Sequence, residues 1–204
     1  MKVNNYPLKT PSTGDRLFGS DVNGDQKQFD MSAVSNNVFQ YKIGEYVEDE
    51  GGVIFHRYLD GSTQNYLVVS IANQSSGQAW SNVTSTLIGS TAQSTWDGLS
   101  NSNAIAGQSG FTNGAAKTCL DLVLLGKDDW YLPSLDEANL ILQNRFNIAK
   151  TFKNIVGASV FNDFWTSTEF DAGKAYYFKP SSVNFLSGDK SQSSPVRAIR
   201  KFSI

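Results

Sequence analysis

The stretch DDWYLPSLDE, residues 128–137, decides how the second half of this chain folds. Its four carboxylates surround a Trp-Tyr pair, which is compatible with an active site, a metal site or a structural joint. Ser134 followed three residues later by Glu137 is a capping box, in which each residue satisfies a free backbone N–H at a helix start. Nothing in the stretch indicates the acid of raised pKa that a paired-carboxylate hydrolase needs. The stretch therefore predicts a strand-to-helix joint that serves as scaffold.

The segments on either side of this joint predict an α+β domain. Upstream, residues 51–60 and 65–72 predict a hairpin whose strands are joined by the turn DGSTQ. Residues 113–126 have the apolar spacing of one helix face, with Gly126 as the C-cap. Downstream, the β-prone segments are FWTSTEF, KAYYFKP, SVNFLSG and SPVRAIRKFSI. The order of strands, helices and strands favours α+β over a wound parallel sheet.

The composition indicates one domain of ordinary size and disfavours several kinds of partner. The chain has 204 residues, a formal net charge of −2 and 40% hydrophobic residues, which is enough for a core. No basic stripe is present, so nucleic acid is not expected as a partner. No apolar run approaches the about 20 residues of a membrane helix. The N-terminus, MKVNNYPLKTPS, lacks the apolar region of a secretion signal, so we expect a soluble protein made in the cytoplasm.

Residues 1–40 differ from the rest of the chain. They contain short extended pieces broken by turn residues, and large apolar side chains are sparse among them. A segment of this kind can scarcely bury a core of its own. We therefore predict an extended attachment or oligomerisation arm over residues 1–40 and one compact domain over residues 41–204.

Enzymatic and metal chemistry is not indicated by the residues. His56 is the only histidine, and it lies in the middle of a predicted strand. Cys119 is the only cysteine, so no internal disulfide can form, and its apolar helix face is typical of a core residue. No phosphate loop, dinucleotide fingerprint or nucleophile elbow is present. We expect no catalytic residues, no cofactor and no metal.

The segment DVNGDQ, residues 21–26, begins like a calcium loop. Its oxygen ligands would be Asp21, Asn23 and Asp25. The full motif then requires Gly at the sixth position and Glu at the twelfth, where this chain has Gln26 and Ser32. A turn is therefore the better interpretation.

An ordered series of segments resembles one family, the Lcl C-terminal-domain family, over about residues 41–204. The segments are GGVIF, NYLVVSIANQSSGQAW, NAIAGQSG, AAKTCLDLVLLGKDDWYLPSLDEANLI, FWTSTEF and VRAIRKF. The resemblance implies a C-type-lectin-like fold with two short antiparallel sheets, two helices and long loops. The calcium-binding tripeptides of true C-type lectins and the paired cysteines of formylglycine-generating enzymes are absent. A calcium-bridged sugar site and that oxidase chemistry are therefore not implied, and a binding scaffold is.

Residues 11–34 resemble the start of many phage tail-fibre proteins. The two resemblances together imply a non-enzymatic fibre-type virion protein of a phage or prophage, released by lysis. Its head would bind a host cell-surface glycan or protein, and its arm would form a homotrimer and contact other virion proteins. The alternatives are a bacterial surface adhesin or secreted binding domain and, more remotely, a formylglycine-generating-type enzyme.

The segment between the last two family motifs, residues 171–194, is rich in Tyr, Lys, Asn, Asp and Ser. This composition is typical of contact surfaces, because Tyr is rigid and amphipathic while Ser and Asn adapt their hydrogen bonds. A solvated hairpin without a partner remains the alternative. The predicted ligand-binding residues are Tyr176, Lys179, Asn184, Asp189 and Lys190, with Trp96 as an aromatic neighbour from the long loop.

Two further side-chain predictions concern the scaffold. Trp165 could stack on a sugar, but its alternating, β-prone neighbours favour a position in the core. Glu169 is expected to form a partly buried ion pair with either Arg197 or Arg200, both of which lie in the last predicted strand segment.

Overall fold

The computed structural model of the protein describes the strands at residues 16–20 and 26–30, and then residues 39–159, 163–180 and 184–204. The chain divides into two units, Met1–Gln40 and Tyr41–Ile204. In the first unit, β1 (Arg16–Ser20) and β2 (Gln26–Asp30) pair in antiparallel register. The calcium-loop positions Asp21, Asn23, Asp25 and Ser32 lie outside the described residues.

The second unit mixes antiparallel sheets with helices, so the predicted α+β class is confirmed. Its strands are β3 (Tyr46–Val47), β4 (Gly52–Asp60), β5 (Thr63–Ser70), β6 (Ser75–Gln78), β7 (Phe164–Glu169), β8 (Lys174–Lys179), β9 (Asn184–Asp189), β10 (Ser194–Val196) and β11 (Ile199–Ser203). Its α-helices are α1 (Gly98–Ala106), α2 (Ala115–Leu120), α3 (Leu135–Gln143) and α4 (Arg145–Phe152). The hairpin predicted upstream of the joint is confirmed as β4 and β5, which turn at Gly61 and Ser62.

The strands of this unit form three antiparallel sheets within the described residues. The largest has the order β11-β5-β4-β3, so the last strand of the chain pairs with the second strand of the early hairpin. A second sheet has the order β7-β8-β9, and a two-stranded one joins β10 to β6. The pairing of β11 with β5 joins the end of the chain to the early hairpin, and it holds the intervening helices and loops against the sheets.

One apolar core lies between the two larger sheets and the helices. Ala138, Ile141 and Leu142 follow the helical spacing that places them on the buried face of α3. They pack in one cluster that also contains Val53, Phe55, Leu67, Val69, Tyr131, Ile148, Phe152, Phe164, Phe178 and Ile199. Each large apolar side chain buried in this way contributes about 1.5–3 kcal/mol. The core therefore fixes α3 and its N-terminal joint relative to both sheets.

The helix predicted for residues 113–126 is shorter in the structure. It ends at Leu120, and Gly126 is a turn residue instead of a C-cap. Leu125 and Gly126 both adopt left-handed backbone angles in a tight turn that pairs Leu124 with Lys127. Because Val123 and Leu125 are exposed, the apolar residues that suggested a longer helix face have no core to pack against.

Two helices were not expected from the sequence, α1 and α4. The residues of α1, GLSNSNAIA, are rich in Ser and Asn, which have poor intrinsic helix propensity. Asp97 caps this helix by accepting a hydrogen bond from the Ser100 N–H, and Asn101, Ser102 and Ile105 are buried. Tertiary packing and an N-cap thus override local propensity.

Candidate functional site

The joint at residues 128–137 has the capping box that the sequence predicts. The Ser134 hydroxyl accepts a bond from the Glu137 N–H at 3.3 Å, and the Glu137 Oε2 accepts one from the Ser134 N–H at 2.8 Å. The Tyr131 hydroxyl donates to Glu137 Oε1 at 2.8 Å. Burial raises the pKa of Glu137 and that of Tyr131. The predicted capping box is therefore confirmed, and protein donors occupy the Glu137 carboxylate.

The core assignments of Trp165 and Cys119 are confirmed. The Trp165 side chain is fully buried, and its indole N–H donates to the Gln78 carbonyl at 2.8 Å. Cys119 is also fully buried, and this burial raises the pKa of its thiol. Neither side chain can reach a ligand at the surface.

A buried ion pair anchors the long loop that precedes α1. Lys190 donates to Glu169 at 2.6 Å, and both side chains are fully buried. Glu169 also accepts the backbone N–H groups of Ile88 and Gly89, and Lys190 donates to the Thr86 carbonyl at 3.1 Å. The pair therefore satisfies three backbone groups of the loop while holding it to β7.

This arrangement corrects two predictions. Lys190 is not a surface contact, because its ammonium group is enclosed between the loop and the sheet. Glu169 pairs with Lys190 instead of with Arg197 or Arg200. Arg200 instead pairs with Asp129 and Glu50.

The strand pleat separates the other residues predicted on β8 and β9. In this register Lys174 lies opposite Asp189, Tyr176 opposite Ser187, and Lys179 opposite Asn184. Paired residues share a face and successive residues alternate, so Tyr176 and Asp189 are on one face and Lys179 and Asn184 on the other. The four residues therefore do not form the single ligand face that the sequence suggested.

Trp96 lies at a different place, on a turn whose backbone is held by polar side chains. The Ser94 hydroxyl accepts from the N–H groups of Trp96 at 3.3 Å and Asp97 at 3.0 Å. The Ser94 carbonyl accepts from the Asn101 amide at 2.6 Å and the Thr168 hydroxyl at 3.0 Å. The Trp96 side chain is nevertheless 73% exposed. A large aromatic group held in water by a fixed backbone is typical of a binding surface.

A first hollow of about 440 Å³ opens beside Trp96. One wall comes from the large sheet, where His56, Leu67 and Lys201 are cross-strand neighbours on β4, β5 and β11. A bulge between Ile54 and His56 shifts the alternation of β4 by one residue. His56 is thereby paired with Leu67 and lines the hollow, while Phe55 packs in the core. Tyr58 on β4 belongs to the same wall. The other wall and the floor are formed by Trp96, Asp97, Leu99, Tyr131, Asp136, Glu137 and Leu140.

Two carboxylates of the first hollow retain free acceptor positions. Asp97 accepts from the Ser100 N–H at 2.9 Å and the Ser100 hydroxyl at 2.7 Å. Asp136 accepts from the Thr95 hydroxyl at 2.8 Å. An ionised carboxylate has about four acceptor sites, so both can still accept bonds from a ligand. They differ in this respect from Glu137, whose oxygens are occupied by the joint.

The charged and aromatic groups opposite these carboxylates are set by the sheet. Lys201 Nζ lies 5.3 Å from the centroid of the Tyr58 ring, within the range of a cation–π contact. His56 stacks on the same ring with 6.0 Å between centroids. Burial lowers the pKa of His56, so the imidazole is neutral at pH 7. The hollow thus combines aromatic walls with acceptors on one side and a single lysine on the other.

A second hollow, of about 730 Å³, also opens beside Trp96. Trp96 and Asp97 line both hollows. The remaining lining residues carry hydroxyl, amide or methyl groups: Ser90, Thr91, Gln93, Ser94, Ser100, Asn103 and Ala104. Trp96 therefore forms a partition between an aromatic, carboxylate-bearing hollow and a neutral polar one.

Sequence reasoning named Trp96 but missed its neighbours. Tyr58, Asp97 and Asp136 come from three distant segments, and only the fold brings them together. A local signal existed in STWDG, residues 94–98, where Ser94 and Asp97 are typical of a turn that leads into a helix cap. That signal fixes the backbone around Trp96 but does not identify the opposite wall.

Comparisons with known proteins give no family for this chain. No protein-family model matches it, and no curated protein matches it. In the part of the chain that the structure describes, no three His, Cys, Asp or Glu side chains converge on a metal position. No helix among the described residues is long and apolar enough to span a bilayer. The function must therefore be argued from the geometry of the Trp96 surface.

Proposed function

We propose that residues 41–204 form a C-type-lectin-like, non-enzymatic head that binds a cell-surface glycan through Trp96 and the two hollows beside it. The observation that carries this proposal is the exposed indole on a backbone fixed by Ser94, with carboxylates in reach that still accept hydrogen bonds. The fold assignment is supported by antiparallel sheets that close through β11, flanked by helices and a long ordered loop.

The chemistry of the site suits a sugar. One side of a pyranose ring presents C–H groups that pack on an aromatic face, and the exposed Trp96 supplies such a face. The ring hydroxyls donate to carboxylate oxygens, and Asp97 and Asp136 have acceptor positions left. Few, well-placed polar groups in a mainly apolar pocket are typical of small-molecule sites.

The same geometry favours binding over hydrolysis. A glycosidase needs a carboxylic acid of raised pKa that reaches the glycosidic oxygen, together with a second carboxylate. Glu137 has the raised pKa, but Ser134, Gly98 and Tyr131 donate to its oxygens. Glu137 therefore links the start of α1 to the start of α3 and is not free to protonate a glycosidic oxygen.

We further propose that the chain is a fibre-type component of a phage or prophage virion. The support is the resemblance of residues 11–34 to tail-fibre starts and the separation of Met1–Gln40 from the rest as its own unit. On this proposal the arm trimerises and attaches to other virion proteins. Antibody labelling of induced phage particles tests it: label on the fibres supports the proposal, and label on the bacterial surface alone supports an adhesin.

The binding proposal is tested with the intact oligomer on a glycan array. Trp96→Ala is expected to weaken binding by about 2 kcal/mol or more, as loss of a central aromatic contact does, while the melting temperature stays unchanged because the side chain is exposed. Tyr176→Ala is the matched control on β8, where the pleat separates the predicted contacts. An array on which the parent binds nothing, or on which Trp96→Ala binds like the parent, would refute the proposal.

A further inference from the structure

We infer that the ligand is a linear oligosaccharide of at least two neutral or amine-bearing units, which crosses Trp96 and places one unit in each hollow. This inference rests on the proposed glycan-binding function and adds the length and the charge class of the ligand. It follows from the arrangement of the two hollows, from the free amides in the second and from the carboxylates in the first.

The length of the oligosaccharide follows from the position of Trp96, which lines both hollows. The volume of the first hollow, about 440 Å³, falls within the range of about 300–1,000 Å³ of small-molecule sites, and the second, of about 730 Å³, is wider and shallower. They meet at Trp96 and Asp97, which line both. A single sugar would fill one hollow and leave the other to water, whereas a chain that passes over the indole uses both. The exposed indole is then the platform on which the chain rests.

The second hollow contains hydrogen-bonding groups without partners in the protein. Gln93 and Asn103 line it and are exposed, and their side-chain amides bond to no other described residue. Each amide offers two donors and one acceptor oxygen, which complements ring hydroxyls and acetamido groups. Ser90 and Thr91 add hydroxyls to the same lining. This hollow therefore suits a polar, uncharged sugar unit.

The charge class follows from the first hollow. Asp97 lies at the partition and Asp136 beside it, so an acidic sugar on Trp96 would face two carboxylates. Glu137 lines the same hollow, and the cation of the lining, Lys201, lies over Tyr58 on the sheet wall. Uronic and sialic acids are thereby disfavoured, whereas hydroxyl, acetamido and ammonium groups can donate to the carboxylates.

The test uses four homo-oligosaccharide series as probes, each with one, two, four and six units. They are the β-1,4-linked oligomers of glucose, N-acetylglucosamine and glucosamine, and the α-1,4-linked oligomers of galacturonic acid. Affinities are measured by calorimetry with the full-length chain. We expect at least one neutral or amine-bearing series to bind, with affinity rising about tenfold or more from one unit to four as the second hollow is filled. We expect the galacturonate series not to bind.

A double variant, Gln93→Ala with Asn103→Ala, separates the two hollows. It is expected to weaken binding of the tetramer about tenfold, the effect of losing one or two hydrogen bonds, without changing the affinity of the single unit. Gln143→Ala is the matched control, because it removes an exposed amide that lines neither hollow.

Three results would overturn the inference. They are affinity that does not depend on length, a preference for the galacturonate series, and a double variant that binds the tetramer like the parent. If none of the probes binds while the parent still binds other glycans on the array, the assigned ligand class is wrong and the proposed function stands. If the parent binds no glycan on the array, the proposed function itself is refuted.

Discussion

The ribbon formed by β8 and β9 and the loop of residues 79–97 are similarly rich in polar residues, but their backbones are organised differently. The ribbon is regular, so its pleat sends Tyr176 and Lys179 to different faces. The loop has little regular structure, yet side chains from β7 and α1 bond to its backbone at several points. The comparison shows that a contact-like composition does not define a contact surface. The contact surface is defined here by hydrogen bonds that fix the loop backbone and keep the Trp96 side chain exposed to water.

The anchors of the loop differ in kind from ordinary surface contacts. Removing Lys190 and Glu169 from water costs several kcal/mol per ion, and their attraction offsets this cost only with good geometry and additional hydrogen bonds. Both conditions hold, because the pair is 2.6 Å apart and also bonds to loop backbone groups. We interpret the pair as a positioning device for the loop that leads to Trp96.

The largest expected effect comes from breaking this pair. Glu169→Ala would leave Lys190 buried without its counter-ion and the N–H groups of Ile88 and Gly89 without an acceptor. We expect a loss of about 3–5 kcal/mol in the free energy of unfolding, measured by urea denaturation. Binding should weaken as well, because the loop loses its attachment to β7.

The matched control is an ion pair of the same length at the surface. Lys117 and Asp121 also lie 2.6 Å apart, but both side chains are largely exposed. Asp121→Ala should therefore change the free energy of unfolding by less than about 1 kcal/mol. Equal effects of the two substitutions would show that burial does not distinguish the pairs and that the loop is held by other contacts.

Much of the scaffold could be predicted from the sequence because its signals are local. The capping box at Ser134, the β4–β5 hairpin and the burial of Trp165 each follow from spacing within a few residues. The helix α1 could not be predicted in this way, because the burial of its polar residues depends on contacts with residues distant in sequence, Ser167 and Leu132. The same reason explains the wrong partner assigned to Glu169.

The candidate site was only partly predictable. Trp96 was named from its type and its place in a long loop. Its opposite wall depends on the bulge in β4, which places His56 opposite Leu67, and no local pattern announces that bulge. Gly98 is another such position, since a Cβ there would lie 2.4 Å from Glu137 Oε2. The close approach of α1 to the joint becomes visible only in three dimensions.

A smaller effect is expected at the joint, which supports the wall opposite the loop. Ser134→Ala removes the hydroxyl that accepts the Glu137 N–H at the start of α3. Loss of an N-cap costs about 1 kcal/mol, so the melting temperature should fall by a few degrees while glycan binding is retained. Ser134→Thr keeps the hydroxyl and serves as the control. A melting temperature that Ser134→Ala leaves unchanged would mean that the cap does not stabilise the helix.

The smallest expected effect is on the pH dependence of stability. His56, the single histidine of the chain, lines the first hollow, whereas the ribbon contains no histidine. Burial lowers the pKa of His56 below its ordinary value of 6.5. Between the folded-state pKa of His56 and 6.5, the unfolded chain binds the proton more readily than the folded one. The stability present above pH 6.5 is therefore lost as the pH falls towards the folded-state pKa. Glu137 acts in the opposite direction, since its pKa is raised and its protonation favours the folded state as the pH falls.

His56→Gln separates these two contributions, because it removes the imidazole and leaves the Glu137 carboxylate in place. The stability of the parent relative to the variant should therefore decrease as the pH falls from 7 to 5, as measured by urea denaturation at several pH values. Tyr176→Phe on the ribbon leaves the imidazole in place and should give a difference that does not change with pH. A flat difference for His56→Gln as well would mean that the imidazole is not shielded by the hollow, and the sheet wall beside Trp96 would then be more open to water than the structure indicates.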